Sequence, residues 1–102
     1  MKAANIDLVN EALGSKQPTV LYFSAAWCGP CRSLGQKMDE MDRLTPTVNF
    51  LKVDVDTQRE LAAKYGVISI PQAFLITNGG TTQQKFMGGD LHKDLGPTLA
   101  SM

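Results

Sequence analysis

Cys28 and Cys31 are the residues of this chain best suited to chemistry. They are its two cysteines, and they lie in the run Trp27-Cys28-Gly29-Pro30-Cys31. A bridge between them closes a very small loop, so it removes little entropy from the unfolded chain and explains little as a structural staple. A zinc site asks for four ligands, and the chain offers this pair plus one histidine, His92, in a distant segment. No metal site is therefore expected, and His92 reads as an exposed helix residue without a role. An inert pair of core thiols fits poorly with Trp, Gly and Pro around them. What remains is thiol–disulfide exchange. Cys28 attacks a target disulfide to form a mixed disulfide, and Cys31 then attacks Cys28 and releases the reduced target.

That chemistry needs a thiolate, and the flanking sequence suggests how one is held. Thr19-Val20-Leu21-Tyr22-Phe23-Ser24 is β-branched and aromatic without a break, as a buried strand is. Ala25 to Pro30 reads as a turn. From Cys31 onward Leu34, Met38, Met41 and Leu44 recur at helical spacing, up to a stop at Thr45-Pro46. A helix beginning at or near Cys28 has unpaired N–H groups in its first turn, and these favour an anion there. Cys28 is expected to be exposed with a lowered pKa, and Cys31, one turn later, to be buried. Gly29 permits a tight turn, Pro30 suits a first turn, and Trp27 shields the pair with an apolar ring. The segment Ile70-Pro71-Gln72-Ala73-Phe74 admits two readings. The proline either marks a strand entrance or forms a cis peptide that brings a loop beside the sulfurs.

The remaining elements follow from periodicity and turn chemistry. Asn5 or Asp7 caps a helix toward Leu13, with Ile6, Val9 and Leu13 inward and Gly14 to Pro18 as its stop. Val48 to Val55 reads as a strand. Asp56 or Thr57 caps a short helix with Leu61, Ala62 and Tyr65 inward and Gly66 as its end. Gln72–Thr77 and Thr82–Met87 read as strands joined by a tight Asn78-Gly79 turn. Asp90 caps a last helix with Leu91, Leu95 and Leu99 on one face, kinked or interrupted at Gly96-Pro97. A βαβ start joined to a ββα finish gives an α/β fold, a central mixed β-sheet flanked by helices on both faces. The 102 residues fit one domain, 1–102.

Composition excludes several classes of partner. Ten basic and ten acidic residues balance to a net charge of zero, and the basic residues form no run. No nucleic-acid partner and no anionic membrane surface is expected. No apolar stretch is long enough for a span, and the N-terminus has no signal or transit pattern. A cytoplasmic monomer is expected.

Taken together, these motifs resemble the thioredoxin family over nearly the whole chain. Tyr22 to Cys31 is similar to that family's WCGPC active-site signature. Lys52-Val53-Asp54-Val55-Asp56 resembles its central strand, Lys64-Tyr65-Gly66-Val67 then Ile70-Pro71 the run into its cis-proline, and Gly88 the glycine of its peptide groove. The resemblance implies a thioredoxin fold and protein-disulfide reductase activity. It makes Cys28 the nucleophile and Cys31 the resolving cysteine. Pro71, in cis, blocks metal capture and positions the substrate backbone, with which Ile70 pairs. Trp27, Gly29, Pro30, Ile70, Pro71 and Gly88 form the docking surface. No bound cofactor is implied: the redox group is the Cys28–Cys31 disulfide, with electrons from NADPH through a thioredoxin reductase. The partners are that reductase and disulfide-containing proteins. Gly29-Pro30 lacks the histidine that oxidising relatives often carry between the cysteines, so a reducing potential is expected.

Three departures stand out. Tyr22 occupies the place of a buried aspartate, Gln36 that of a helix-kinking proline, and the N-terminal strand is short. Lys52 is expected beside Tyr22, because the family's matching lysine neighbours the aspartate; the two are candidate modulators of proton transfer at Cys31. The lost acid also leaves open a second class of function. A thioredoxin-fold binding or scaffold subunit would use the surface around Trp27, Ile70 and Pro71 without redox turnover.

Overall fold

The computed structural model describes residues 1–102. The elements run β1 (Lys2–Ala3), α1 (Ile6–Gly14), β2 (Thr19–Ser24), α2 (Gly29–Leu44), β3 (Asn49–Asp54), α3 (Arg59–Lys64), β4 (Gln72–Thr77), β5 (Thr82–Met87) and α4 (His92–Ala100). The strands form one sheet in the order β1-β3-β2-β4-β5, with β1, β3 and β2 parallel and β4 and β5 antiparallel. This is the expected mixed sheet. The short N-terminal strand is its two-residue edge.

β2 lies at the centre and is buried along its whole length. Side chains alternate across a strand, and the two apolar layers show the alternation directly. Val20 and Tyr22 join Phe50, Ala73 and Leu75 on the face covered by Leu34 and Met38 of α2 and Leu95 and Leu99 of α4. Leu21 and Phe23 join Leu51, Val53, Phe74 and Ile76 on the face covered by Val9 and Ala12 of α1 and Leu61 of α3. Two-sided burial is why β2 reads as an unbroken apolar run.

Several local expectations are narrowed or corrected. Asn5, not Asp7, caps α1 by accepting from the Leu8 N–H at 2.8 Å. Ile6 is exposed, and Ala12 takes its place in the core. Leu44 is exposed too, since it follows the last turn of α2 that reaches the sheet. β3 is shorter than read, at Asn49–Asp54. Neither Asp56 nor Thr57 caps α3, because the chain first makes a turn and Gln58 is the N-cap. Asp54 is the side chain spent on that turn, accepting from the Asp56 N–H at 2.9 Å. Leu91 rather than Asp90 precedes α4. Pro97 lies inside α4 without interrupting it, on an exposed face. The β4–β5 connection is longer than two residues: Thr77 pairs with Thr82, and Asn78, Gly79 and Gly80 all take positive φ. His92 is half-buried, with Nδ1 buried and unpartnered.

Candidate active site at the carboxyl end of β2

Cys28 is the N-cap of α2, Gly29 and Pro30 open the helix, and Cys31 follows within the first turn. Pro30 therefore forfeits no helical hydrogen bond. The two cysteines are joined as a disulfide. Gly29 is the first residue of α2, its φ is not positive, and a Cβ there would meet nothing within 4 Å. Its contribution is open space above the sulfurs.

Cys28 is not exposed in this oxidised state. Cys28 and Cys31 are 5% and 4% exposed, packed with Ala25 and the half-buried Val55 and Ile70. In the disulfide both sulfurs belong to that apolar patch. The asymmetry between the cysteines is therefore one of helix position, not of burial. Cys28 stands at the cap, where the unpaired N–H groups converge, and Cys31 already belongs to the helix.

Trp27 is 69% exposed beside the disulfide. Its Nε1–H donates to Asp56 Oδ2 at 2.9 Å, which fixes the ring in an otherwise open setting. Arg32 donates from Nη2 to the Ala26 carbonyl at 3.2 Å and ties the turn to α2. Neither contact was legible in the sequence. Asp56 belonged to a family-like run, but nothing in the spacing pointed it at Trp27.

Two distant segments complete the surface. The Ile70–Pro71 peptide is cis, and Ile70 packs against the cysteine pair. Gly88 takes φ +94°, which disfavours any side chain, and its N–H donates to the Pro71 carbonyl at 3.1 Å. The next residue, Gly89, approaches Pro30, since a Cβ there would lie 3.7 Å from the proline Cβ. Ile70 thus packs on the pair that Trp27, Gly29 and Pro30 flank in sequence, and Gly88 is tied to this loop through the carbonyl of Pro71, whose side chain is buried.

Beneath the site lies Tyr22, fully buried. Its ring faces α2 near Gly35, and its hydroxyl donates to the Cys31 carbonyl at 2.7 Å. Burial first, and the Asp39 carboxylate second, push its pKa up to about 12. It is a neutral strut under the helix, unable to serve as a base near neutrality. Lys52 is the register partner of Tyr22 across β2 and β3, as expected, and reaches solvent. No group of three or more His, Cys, Asp or Glu side chains is gathered as a metal ion would need.

A vicinal cysteine pair at a strand-to-helix junction, roofed by a cis-proline loop, defines a thiol–disulfide oxidoreductase. The sequence profile of the thioredoxin family matches residues 3–101. Thioredoxin Asp f 28 of Aspergillus fumigatus is 32% identical over 89% of this chain and 84% of its own length. Mouse mitochondrial thioredoxin is 36% identical over 80% of this chain, which spans 49% of that relative. The crystal structure of Fasciola hepatica thioredoxin superposes with a TM-score of 0.85 at 33% identity, covering 99% of this chain and 98% of that one. The chain belongs to the thioredoxin family. It is a protein-disulfide reductase whose redox group is its own cysteine pair. The scaffold alternative gains nothing from the structure, because the replacement of the acid by Tyr22 leaves the dithiol intact.

Proposed function

We propose that residues 1–102 act as one monomeric domain that carries electrons from an NADPH-fed thioredoxin reductase to disulfides of other proteins in the cytoplasm. Cys28 is the nucleophile and Cys31 the resolving cysteine. The observation that carries these roles is the position of Cys28 at the N-cap of α2, where helix N–H groups stabilise a thiolate. The target lies across Trp27, Gly29, Pro30, Ile70, Pro71 and Gly88. Ile70 makes no backbone hydrogen bond within the chain, so its N–H and C=O are free to pair with an extended target strand. The cytoplasm suits a dithiol that must be kept reduced. No helix is long and apolar enough to cross a membrane.

The test couples the protein to thioredoxin reductase, NADPH and insulin, and follows NADPH consumption and insulin precipitation together. Continuous turnover is expected, lost in Cys28→Ser and in Cys31→Ser. Insulin reduction that persists in either variant, or a disulfide that the reductase leaves oxidised, overturns the assignment. Fractionation of the source cells checks the compartment.

A further inference from the structure

Resolution requires Cys31 to lose a proton, and the strut beneath it cannot take one. Tyr22 is neutral to about pH 12, and its hydroxyl is spent on a carbonyl. A different route lies beside it. A cavity of about 240 Å³ opens next to Cys31, lined by Ser24, Arg32, Lys52 and Asp54. It sits at the carboxyl ends of the parallel strands β2 and β3, where Ser24 and Asp54 are direct register partners, two residues beyond the Tyr22–Lys52 pair. In-register side chains on neighbouring strands point the same way, so Ser24, Lys52 and Asp54 all face the α2 side of the sheet.

Two independent observations mark this cavity as more than a packing gap. Ser24 is 2% exposed, yet its Oγ has no hydrogen-bond partner in the protein. A buried hydroxyl left unpaired in this way is uncommon. Asp54 is half-buried, with Oδ1 held by the Asp56 N–H at 2.9 Å and Oδ2 without a protein partner. The space is large enough for several waters, and its polar lining can hold them.

We propose that Asp54 accepts the proton of Cys31 through water in this cavity, with the Ser24 hydroxyl as relay, in place of an acid at position 22. The proposal rests on the reductase activity. In the step, the Cys31 S–H bond breaks and its proton passes by way of Ser24 and water to the Asp54 carboxylate, then to solvent. The Cys31 thiolate attacks Cys28 Sγ, the Cys28–Cys31 bond forms, and the bond from Cys28 to the target sulfur breaks. The target leaves with the electron pair as a thiolate. The protein's two thiols are oxidised and the target's disulfide is reduced, so two electrons are transferred. The charged groups facing Cys31 are Asp54 and Lys52 from β3 and Arg32 from α2. The two cations favour the thiolate, and Asp54 is the one acceptor among them. Tyr22, from β2, faces it as a neutral group.

The test uses Ellman's reagent and the reduced protein. Mixing releases one thionitrobenzoate as the Cys28 mixed disulfide forms and a second as Cys31 resolves it, and this leaving group needs no proton. Asp54→Asn keeps an oxygen for the Asp56 N–H but loses the base. Its second phase is expected to slow on the order of tenfold below about pH 8 and to converge with wild type at higher pH, where the thiol ionises unaided. The first phase stays unchanged, and Asp54→Glu restores part of the second. Ser24→Ala is expected to slow the second phase by less, with little change in stability, because it breaks no hydrogen bond made within the protein. An unaltered second phase in Asp54→Asn, or a slowing equal at every pH, overturns the proposal. A wild-type protein that forms no mixed disulfide would overturn the reductase activity itself, and the proposal with it.

Discussion

The upper rim of the site and the floor beneath it are built differently. Trp27, Gly29 and Gly88 are exposed around the disulfide, and the rim relies on backbone features: a helix cap, a cis peptide and a positive φ. The floor is one buried ring, Tyr22, with a single hydrogen bond to the helix that carries Cys31. The rim keeps the family's residue types, whereas the floor departs from them. Under the proposal above, the rim serves docking while the proton moves by a route beside the floor. A tyrosine gives α2 an apolar support where an acid would have to be desolvated. It leaves proton traffic to the neighbouring cavity.

The largest effect on this contrast should come from removing the floor. Tyr22→Ala is expected to cost about 3–5 kcal/mol in urea unfolding, from lost apolar burial and the cavity left behind. Tyr22→Phe retains the ring and should cost only about 1 kcal/mol. Similar losses in the two variants would show that the hydroxyl, not the ring, supports the helix.

A rim substitution should act on both stability and docking. Gly88→Ala places a side chain at φ +94°, at a cost of about 1–2 kcal/mol. The same change should raise the KM for insulin, because this loop is held against Pro71. Unaltered stability would mean that the loop relaxes freely.

The floor also has a signature in alkali. Tyr22 ionises near pH 10 in the unfolded chain and at about 12 in the fold. Above the lower value the unfolded chain sheds a proton that the fold retains. Its contribution is therefore complete below pH 10 and lost as pH rises through 12. Tyr22→Phe should flatten that decline in urea midpoints, leaving the part due to Tyr65, whose pKa burial also raises. An equally steep decline in the variant would contradict the assignment.

The smallest effect concerns the tether of Trp27. Asp56→Ala should shift stability by less than about 0.5 kcal/mol. It should lower the fluorescence anisotropy of the chain's one tryptophan. Unchanged anisotropy would show that the Nε1–Asp56 bond does not hold the ring.

Legibility in the sequence followed the same division. The bounds of β2, β4 and β5 were readable because each has an uninterrupted pattern ending at turn residues. The cysteine pair and its place at a strand-to-helix junction were equally plain. Helix starts were less so: Asp56, Thr57 and Asp90 are good caps by type, yet the chain turns once more before α3 and α4 begin. The Asn78-Gly79 signal gave the right place and the wrong length, since Gly80 also adopts positive φ and extends the loop. Cys28 is buried in part against Ile70, forty-two residues away, a contact that local sequence does not encode. The Ser24–Asp54 pairing likewise depends on β2–β3 register, a property of the assembled sheet.

The central claim is that Cys28 attacks and Cys31 resolves, and trapping tests it most directly. Reduced Cys31→Ser and Cys28→Ser are each incubated with insulin, and intact masses are recorded without reductant. Cys31→Ser is expected to accumulate a stable mixed disulfide through Cys28, and Cys28→Ser to accumulate little. A stable adduct on Cys31 in Cys28→Ser, with none on Cys28 in Cys31→Ser, would contradict the assignment.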